Sequence, residues 1–472
     1  MKKIKHIVGI IIIFGIISCS DSFLDVEPQT SLSPDMALSN FADAEVALLG
    51  VYDALQSTSN YYARNFVVTP DVAADDVFIA PENSGRFLQQ YNYTTSSTTG
   101  FVTGLWNRVY DGINRANNII EKIDLLYEDT EATETQVDHL LGQTLALRAI
   151  MHFDLLRIFA RPYSWDNGNS MGVPFMDRVE IGEPSRDPVS FVYEQIIEDL
   201  KVAYELMEPR TAITDRAFFS RYAAKALLAR VYLYMEEWQL AADYAIDVID
   251  NGGYSLVSNG DFIDKWYLEY STESIFSLAM SNIDYSATDA LGYIYIREGY
   301  GDLRPTKEIR DLLEDLGGVR NEAYITFDII AEDYFINKFP GRENQPGLDN
   351  VPVLRLAEMY LIAAEALSNL NNDEDARDYV NEIYLRANPD ADPIDLEGDE
   401  LKERIYLEKR LEYAFEGHRL FDITRRKEDL DRGECPAAVC FIPAMDFRFI
   451  YPIPQRELDA NSNMEQNPGY GN

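Results

Sequence analysis

The feature that most constrains this fold is a helical spacing of apolar residues that recurs along most of the chain. Small and apolar side chains return every three or four positions over roughly 105–158, 189–250 and 353–388. That spacing places them on one face of a helix, which must be buried against a neighbouring element. Short turns divide these regions into successive helices. We therefore predict a mainly all-α fold built from helix pairs.

Two of the pairs share more than periodicity. Residues 226–250 have alanines where helices approach closely, Tyr232 within the first helix and Trp238 at the turn, and residues 356–383 repeat this scheme loosely. It resembles tetratricopeptide packing, in which each unit buries its face against the next. The alternative is an ordinary all-α domain with alanine-rich contacts. Long stretches rich in Tyr, Asn, Gly, Ser and Thr separate the pairs, near 64–104, 160–188, 252–304 and 386–398, and loops this long are usually functional.

The first 18 residues predict export. Three lysines precede an apolar run from Ile7 to Ile17, which is too short to be a comfortable permanent membrane helix. The following Ser18-Cys19 completes a sequence that resembles a bacterial lipobox, so cleavage before Cys19 would leave that residue lipidated. We expect a signal peptide over 1–18, a lipidated flexible tether over 19–39 and a single domain over 40–472. A plain secretory signal is the alternative.

The net charge limits which partners the protein can bind, and the cysteine content bears on the compartment in which it folds. The formal net charge is −39, which argues against nucleic acid and anionic lipid surfaces, because both require basic patches. Besides Cys19, only Cys435 and Cys440 are present, and a disulfide between them is permissible outside the cytoplasm. We predict that disulfide.

The motifs for catalysis and metal binding are weak. Gly168–Gly172 matches G-x-S-x-G, but Val173-Pro174 follows, so no helix begins where a nucleophile elbow requires one. We interpret this match as chance. The His and Cys residues lack zinc spacing, and no complete Asp-rich calcium loop is present. We predict no metal site and no cofactor, with a calcium ion held by loop carboxylates left as an open alternative.

The densest charged stretch covers 407–426. Its apolar residues have core spacing, so we favour a partly buried ion-pair network over an active site. Within it, Glu416 and Arg419 are expected to serve folding as paired charges rather than to contact ligand. The predicted network comprises Glu408, Arg410, Glu412, Glu416, Arg419, Asp422 and Arg425.

The same stretch carries a family resemblance. Residues 403–426, ERIYLEKRLEYAFEGHRLFDITRR, resemble the late signature of the SusD/RagB family of outer-membrane nutrient-binding lipoproteins. Other matching pieces follow the family order, among them ALLGVYDAL at 47–55, LWNRVYDGINRANNIIEKI at 105–123 and YPIPQRELDANSNMEQNPGY at 451–470. The resemblance covers essentially the whole chain after Cys19.

The resemblance implies a function as well as a fold. Known members are helical, carry long loops over one face, bind glycans or sometimes peptides, and have no catalytic activity. They lie on the cell surface as a lid on a SusC-like TonB-dependent transporter. The acidic run after Cys19 resembles the export signal of surface-displayed lipoproteins, which implies an outer-membrane location facing the exterior.

By order along the chain, two family ligand loops correspond to 76–106 and 282–304. Aromatic rings suit the apolar faces of sugars, and this chain has 30 Tyr and 23 Phe. The starch-binding archetype has tryptophans in these loops, whereas Phe78 or Ile79 and Tyr300 stand in their places here, so the resemblance does not extend to starch specificity. The predicted ligand-binding residues are Phe78, Asn83, Arg86, Tyr91, Tyr285, Tyr293 and Tyr300.

Three other functions remain open at this stage. A surface glycoside hydrolase would need two carboxylates flanking the bound sugar, and their separation is not visible in sequence. A peptide-binding member of the same family is the second alternative. The third is a scaffold whose helical repeats bind only protein.

Overall fold

The computed structural model describes residues 38–210 and 212–471. The predicted signal peptide, Cys19 and all of the tether before Leu38 lie outside these residues. The described chain is mainly helical, which confirms the all-α prediction. The helices are α1 (Phe41–Leu55), α2 (Asn65–Val72), α3 (Leu88–Tyr91), α4 (Gly100–Ile120), α5 (Ile123–Tyr127), α6 (Glu134–Phe159), α7 (Tyr163–Asp166), α8 (Val189–Leu206), α9 (Arg221–Tyr234), α10 (Trp238–Asn251), α11 (Leu291–Tyr295), α12 (Lys307–Leu316), α13 (Val319–Tyr324), α14 (Leu356–Asn369), α15 (Asp373–Ala387), α16 (Gly398–Tyr413), α17 (Arg419–Arg425) and α18 (Gln455–Ala460).

The long helices pack on one another in the order α1, α4, α6, α8, α9, α10, α14, α15. Small alanine side chains allow neighbouring helices to pack closely. Ala224 on α9 and Ala242 on α10 are both fully buried. Tyr232 of α9 stacks on Tyr244 of α10, with ring centroids 5.4 Å apart. The α6 helix begins in a capping box, in which the Thr133 side chain accepts from the Gln136 N–H at 3.3 Å. The predicted helix pairs therefore correspond to consecutive helices along this row.

Short antiparallel strands interrupt the helices. Within residues 38–210 and 212–471 they form four two-stranded sheets. The paired strands are β1 (Val77–Ile79) with β3 (Leu303–Pro305), β2 (Ser274–Leu278) with β6 (Val351–Arg355), β4 (Ile325–Asp328) with β5 (Asp333–Ile336), and β7 (Leu430–Asp431) with β8 (Phe441–Ile442). The long stretches expected to be irregular thus contain regular elements: α2, β1 and α3 lie within 64–104, and β2, α11 and part of β3 lie within 252–304.

The densest charged stretch lies inside the molecule. Glu408 and Glu412 on α16 have no exposed surface. Glu408 accepts from Arg320 at 2.9 Å, and Glu412 binds Arg355 at 3.0 Å and Arg386 at 2.8 Å. Every one of these cations comes from a segment distant in sequence. The network therefore joins α16 to α13, β6 and α15.

Glu416 and Arg419 are not paired with each other. Glu416 accepts two hydrogen bonds from Arg355, at 2.8 and 2.7 Å, and also contacts Lys338 at 2.5 Å. Arg419 instead donates two 2.7 Å hydrogen bonds to Asp75. The two residues therefore tie this turn to two different parts of the fold.

The remaining members of the network join the same region to the segment between α2 and β1, to α12 and to α14. Arg410 contacts Asp76 and Glu308, both at 2.7 Å. Asp422 lies 3.0 Å from Lys409, and Arg425 reaches Glu365 on α14 at 2.5 Å. All seven residues predicted for the network thus make ion pairs, and most of them are buried.

Two structural features are absent from the part of the chain that the structure describes. No helix among 38–210 and 212–471 is long and apolar enough to cross a membrane. Over the same residues, no group of three or more His, Cys, Asp or Glu side chains is arranged to hold a metal ion.

Candidate ligand-binding site

The short sheet of β1 and β3 brings the two predicted ligand loops together. The strands run antiparallel, with Val77 opposite Pro305 and Ile79 opposite Leu303. The chain after Ile79 and the chain before Leu303 therefore leave the sheet at the same end. The backbone N–H of Ser84 donates to Asp302 Oδ1 at 2.9 Å, which holds the first loop against the second.

Where the loops meet, Arg86 lies over the ring of Tyr300. Its guanidinium carbon is 4.3 Å from the ring centroid, and its Nη2 is 3.0 Å from Asp289 Oδ1. Tyr293 completes the group, because its ring lies edge-on to Tyr300 with centroids 5.9 Å apart. We refer to Arg86, Asp289, Tyr293 and Tyr300 as the Arg86–Tyr300 cluster. It joins side chains that are 214 residues apart in sequence.

The backbone around Tyr300 requires glycine on both sides. The N–H of Tyr300 donates to the Tyr293 carbonyl at 2.7 Å, so the chain folds back closely on α11. A Cβ on Gly299 would lie 2.4 Å from that carbonyl oxygen. Gly301 has φ +51°, and a Cβ there would lie 2.3 Å from Arg304 Nη1. The two glycines thus allow the tight loop that presents the Tyr300 ring.

The cluster is open to solvent. Tyr300 is 39% exposed, and the side chains of Arg86 and Asp289 are 30% and 55% exposed. Asp289 also accepts from Arg64 at 2.8 Å. Partial burial acts to raise the pKa of Asp289, but hydrogen bonds and charge from Arg64 and Arg86 outweigh it and lower that pKa. Asp289 is therefore a carboxylate at neutral pH and can accept hydrogen bonds from a ligand.

Two other residues predicted to bind ligand, Asn83 and Tyr285, instead make contacts that shape the loops. Asn83 donates to the Ala80 carbonyl at 2.7 Å and accepts from the Gly85 N–H at 2.9 Å, so its amide closes a turn. The hydroxyl of half-buried Tyr285 accepts from the Gln345 amide, and its ring packs against the main core. Among the contacts in the structure, neither joins the Arg86–Tyr300 cluster.

The prediction for Tyr91 needs correction. Its side chain is only 4% exposed and packs beside Arg432, whose guanidinium carbon is 4.9 Å from the ring centroid. Tyr91 and half-buried Phe78 both line a cavity of about 190 Å³, which the Cys435 region also borders. Tyr91 is thus a core residue, because the loop after β1 folds its ring inwards.

Cys435 and Cys440 are joined by a disulfide in the structure. The G-x-S-x-G match has a structural role, since the Ser170 hydroxyl donates to Asp166. His152 is fully buried, and its Nε2 accepts from the Met176 N–H at 3.1 Å. These contacts do not assemble a nucleophile and a base.

Two residues of the site escaped prediction. Asp289 lies inside the second predicted loop, but nothing in its local sequence distinguishes it from other loop acids. Arg64 lies outside both loops, at the start of α2, and reaches Asp289 only through the tertiary fold. The one available signal was the position of Asp289 in a loop that already held three predicted tyrosines.

Comparisons with known proteins agree along the whole chain. Residues 332–470 match a family model described as the SusD family, and residues 22–233 match one described as starch-binding associating with outer membrane. A solved SusD superfamily protein from Bacteroides vulgatus is 31% identical, with 91% of this chain and 99% of that chain covered and a TM-score of 0.84.

Two further relatives agree with this assignment. SusD-like protein P2 of Formosa agariphila is 29% identical over the full length of both chains. A solved structure described as a laminarin binding SusD-like protein is 25% identical, with 92% of this chain and 100% of that chain covered and a TM-score of 0.74. These matches confirm the resemblance found in the sequence, and the chain belongs to the SusD family.

Proposed function

We propose that this protein is a non-catalytic cell-surface lipoprotein that binds an oligosaccharide at the Arg86–Tyr300 cluster and delivers it to a SusC-like TonB-dependent transporter. The observation that carries the proposal is the meeting of Arg86 and Tyr300 from two separate loops on exposed surface. Family membership supports it, since one matching family model is described as starch-binding and one solved relative is described as laminarin binding.

The cluster offers the two kinds of contact that a sugar needs. The Tyr300 ring is rigid and partly exposed, so a sugar can lay its apolar C–H face on it with little loss of side-chain freedom. Arg86 donates and Asp289 accepts hydrogen bonds, and bonds to charged groups are stronger than those between neutral ones. Because Arg86 already stacks on Tyr300, less ordering is required when the ligand binds.

A glycan panel tests the binding and the absence of catalysis together. Purified protein is titrated calorimetrically with laminarin and starch oligosaccharides and with other soluble glycans, and each mixture is then analysed for shorter products. We expect binding to at least one glycan and no cleavage. Cleavage products would favour the glycoside hydrolase, whereas binding of peptides alone would favour the peptide-binding alternative.

Delivery and anchoring need separate experiments. A SusC-like transporter is expected to co-purify with the protein from outer membranes after mild detergent extraction. The Cys19→Ala variant is expected to lose acylation and membrane attachment while retaining glycan binding. Attachment and acylation that persist in Cys19→Ala would contradict the lipid-anchor proposal without affecting the binding proposal.

A further inference from the structure

A second cavity lies between α1 and α6, close to the point where the described chain begins. Its volume is about 410 Å³, and none of its lining residues belongs to the Arg86–Tyr300 cluster. Phe41, the first residue of α1, lines this cavity, and the described chain begins at Leu38, only three positions earlier. The N-terminal segment that precedes Leu38 is therefore joined to the fold within a few residues of the cavity.

The lining of this cavity is half apolar and half polar. Leu48, Leu140 and Phe218 are among its apolar residues. Beside them, the outer face of α1 carries two exposed apolar side chains, Val46 at 69% and Leu49 at 54%, and Leu49 also lines the cavity. A peptide segment suits such a surface, because it brings apolar side chains with polar groups between them and can cover the apolar strip of α1.

The cavity also offers a cation that lacks a partner. Arg210 lines it and is exposed, and its side chain makes no ion pair and no hydrogen bond to any residue of 38–210 or 212–471. The other charged lining residue, Glu45, is exposed as well and can stay in water. An occupant with a carboxylate next to its apolar side chains can therefore pair with Arg210.

The N-terminal segment contains that combination of residues. Residues 21–27 read DSFLDVE, in which Phe23, Leu24 and Val26 are interleaved with three carboxylates, and residues 19–37 contain no Lys or Arg. These residues lie outside the part of the chain that the structure describes. The family model that matches residues 22–233 begins within the same stretch, so the stretch belongs to the matched domain. In composition, residues 21–27 complement the cavity.

The length of the segment allows it to reach the cavity. Phe23 precedes Leu38 by 15 residues. A chain of that length without fixed structure spans about 20 Å on average and about 50 Å at full extension. Because the segment is attached beside the cavity, its effective concentration there is on the order of millimolar. Even a weak contact is therefore well populated.

We propose that residues 21–27 dock in the cavity between α1 and α6, with Phe23 and Leu24 against its apolar lining and Asp25 beside Arg210. Docking also covers the exposed side chain of Leu49. Only four residues separate Cys19 from Phe23, so docking holds Cys19 within about 15 Å of this face. The docking stands apart from the proposed function, whereas its consequence, a lipid held beside α1 and α6, rests on the proposed anchor at Cys19.

Disulfide trapping tests the docking. The chain without its predicted signal peptide carries Cys19→Ala, so that neither an anchor nor a third native thiol is present. Ser22→Cys is combined with Leu49→Cys at the cavity, or with Leu268→Cys as the matched control, since Leu268 is also 54% exposed and does not line the cavity. Under mild oxidation we expect the Leu49 pair to form an intramolecular disulfide at least about tenfold faster than the Leu268 pair.

Further variants of the Leu49 pair test the two contacts. Phe23→Ala removes the ring and should slow trapping to the rate of the Leu268 pair. Arg210→Glu and Asp25→Lys should each slow trapping about threefold, as expected for the loss of an exposed ion pair. Combined in one chain, these two changes reverse the pair, and the rate should recover. A general effect of charge on the surface would not produce that recovery.

The docking proposal is overturned if the Leu49 and Leu268 pairs form disulfides at the same rate, or if Phe23→Ala leaves the rate of the Leu49 pair unchanged. Disulfide-linked dimers in place of the intramolecular product would overturn it too, since they would assign the cavity to the segment of a second copy. Failure of the charge reversal to restore trapping would overturn the pairing of Asp25 with Arg210. Melting curves of every variant establish that the fold is intact, and none of these outcomes depends on the lipid anchor or on glycan binding.

Discussion

Arginines lie over tyrosine rings beside carboxylates at several places in the described chain, and two of these groups differ sharply in their surroundings. In the Arg86–Tyr300 cluster the guanidinium carbon is 4.3 Å from the ring centroid, and in the core Arg355 lies 4.5 Å from the ring of Tyr413. The chemistry is the same, but the burial differs. Tyr300 is 39% exposed and Tyr413 only 3%.

That difference decides what each group can do. In the core, Glu273, Glu412 and Glu416 take up the hydrogen-bonding capacity of Arg355, and all four side chains are buried. Around Tyr300, the exposed faces of Arg86 and Asp289 remain available to a ligand. The same residue types therefore stabilise the fold in one place and offer a binding surface in the other.

The largest expected effect comes from removing a buried carboxylate. Glu412→Ala removes one of the buried carboxylates that pair with both Arg355 and Arg386, and it is expected to lower the free energy of unfolding by about 3 to 5 kcal/mol. Urea denaturation measures it. The matched control is Glu403→Ala on the exposed side of the same helix, which should stay within about 0.5 kcal/mol. Equal stability of the two variants would contradict the structural role.

Acid should weaken the core network through Glu273. Burial acts to raise the pKa of Glu273, but the charges of Arg386, Lys265 and Arg355 outweigh it and lower that pKa to about 2. A depressed pKa means that the unfolded chain takes up this proton first as the pH falls. The stabilisation, about 3 kcal/mol, is therefore complete above about pH 4.5 and lost as the pH falls towards 2.

Glu273→Gln sharpens this prediction. The variant cannot titrate at this position, so its stability should fall less steeply between about pH 4.5 and 2 than that of the unmodified protein. Denaturant melts at several pH values measure the two slopes. Identical slopes would show that Glu273 does not contribute to the acid response.

In the exposed Arg86–Tyr300 cluster, a substitution should weaken ligand binding and leave stability almost unchanged. Tyr300→Ala is expected to weaken binding of the best glycan by about 1 to 3 kcal/mol, a magnitude taken by analogy from base stacking on aromatic rings. Stability should stay within about 0.5 kcal/mol. Calorimetry beside a melting curve measures both quantities, with Tyr267→Ala, at 48% exposure, as the control for an exposed tyrosine elsewhere. Unchanged affinity with a large loss of stability would make Tyr300 a structural residue.

The smallest expected effect is that of Arg86→Lys. The charge is kept, but the planar fork that stacks on Tyr300 and reaches Asp289 is lost. Glycan binding should weaken by about 0.5 to 1 kcal/mol, as for an exposed cation–π contact. Arg178→Lys, whose arginine side chain is 66% exposed, provides the comparison by the same calorimetric titration. A loss equal to that of Tyr300→Ala would mean that Arg86 itself carries the binding.

Sequence periodicity was sufficient to predict the long paired helices, and the family signature was sufficient to assign the family. The spacing that predicted helices near 224–234 and 242–249 corresponds to α9 and α10, because an amphipathic helix is a local consequence of which residues are apolar. The ion-pair residues of 407–426 were also predictable as a group, since charges interleaved with apolar residues at core spacing must find partners. Their partners were not predictable: Glu416 and Arg419 bind Arg355 and Asp75 rather than each other.

The residues of the candidate site also divide into those that the sequence could predict and those that only the tertiary structure brings together. Arg86 and Tyr300 were predictable because their loops follow the family order, whereas Tyr91 was wrongly predicted because a loop sequence does not reveal which ring turns inwards. Asp289 meets Arg86 and Arg64 only because the tertiary fold brings distant segments together. Sequence alone establishes the long amphipathic helices and the family, since both depend on patterns of residues close together in the chain. Burial and partner choice depend on contacts between residues far apart in the chain, and only tertiary packing creates those contacts.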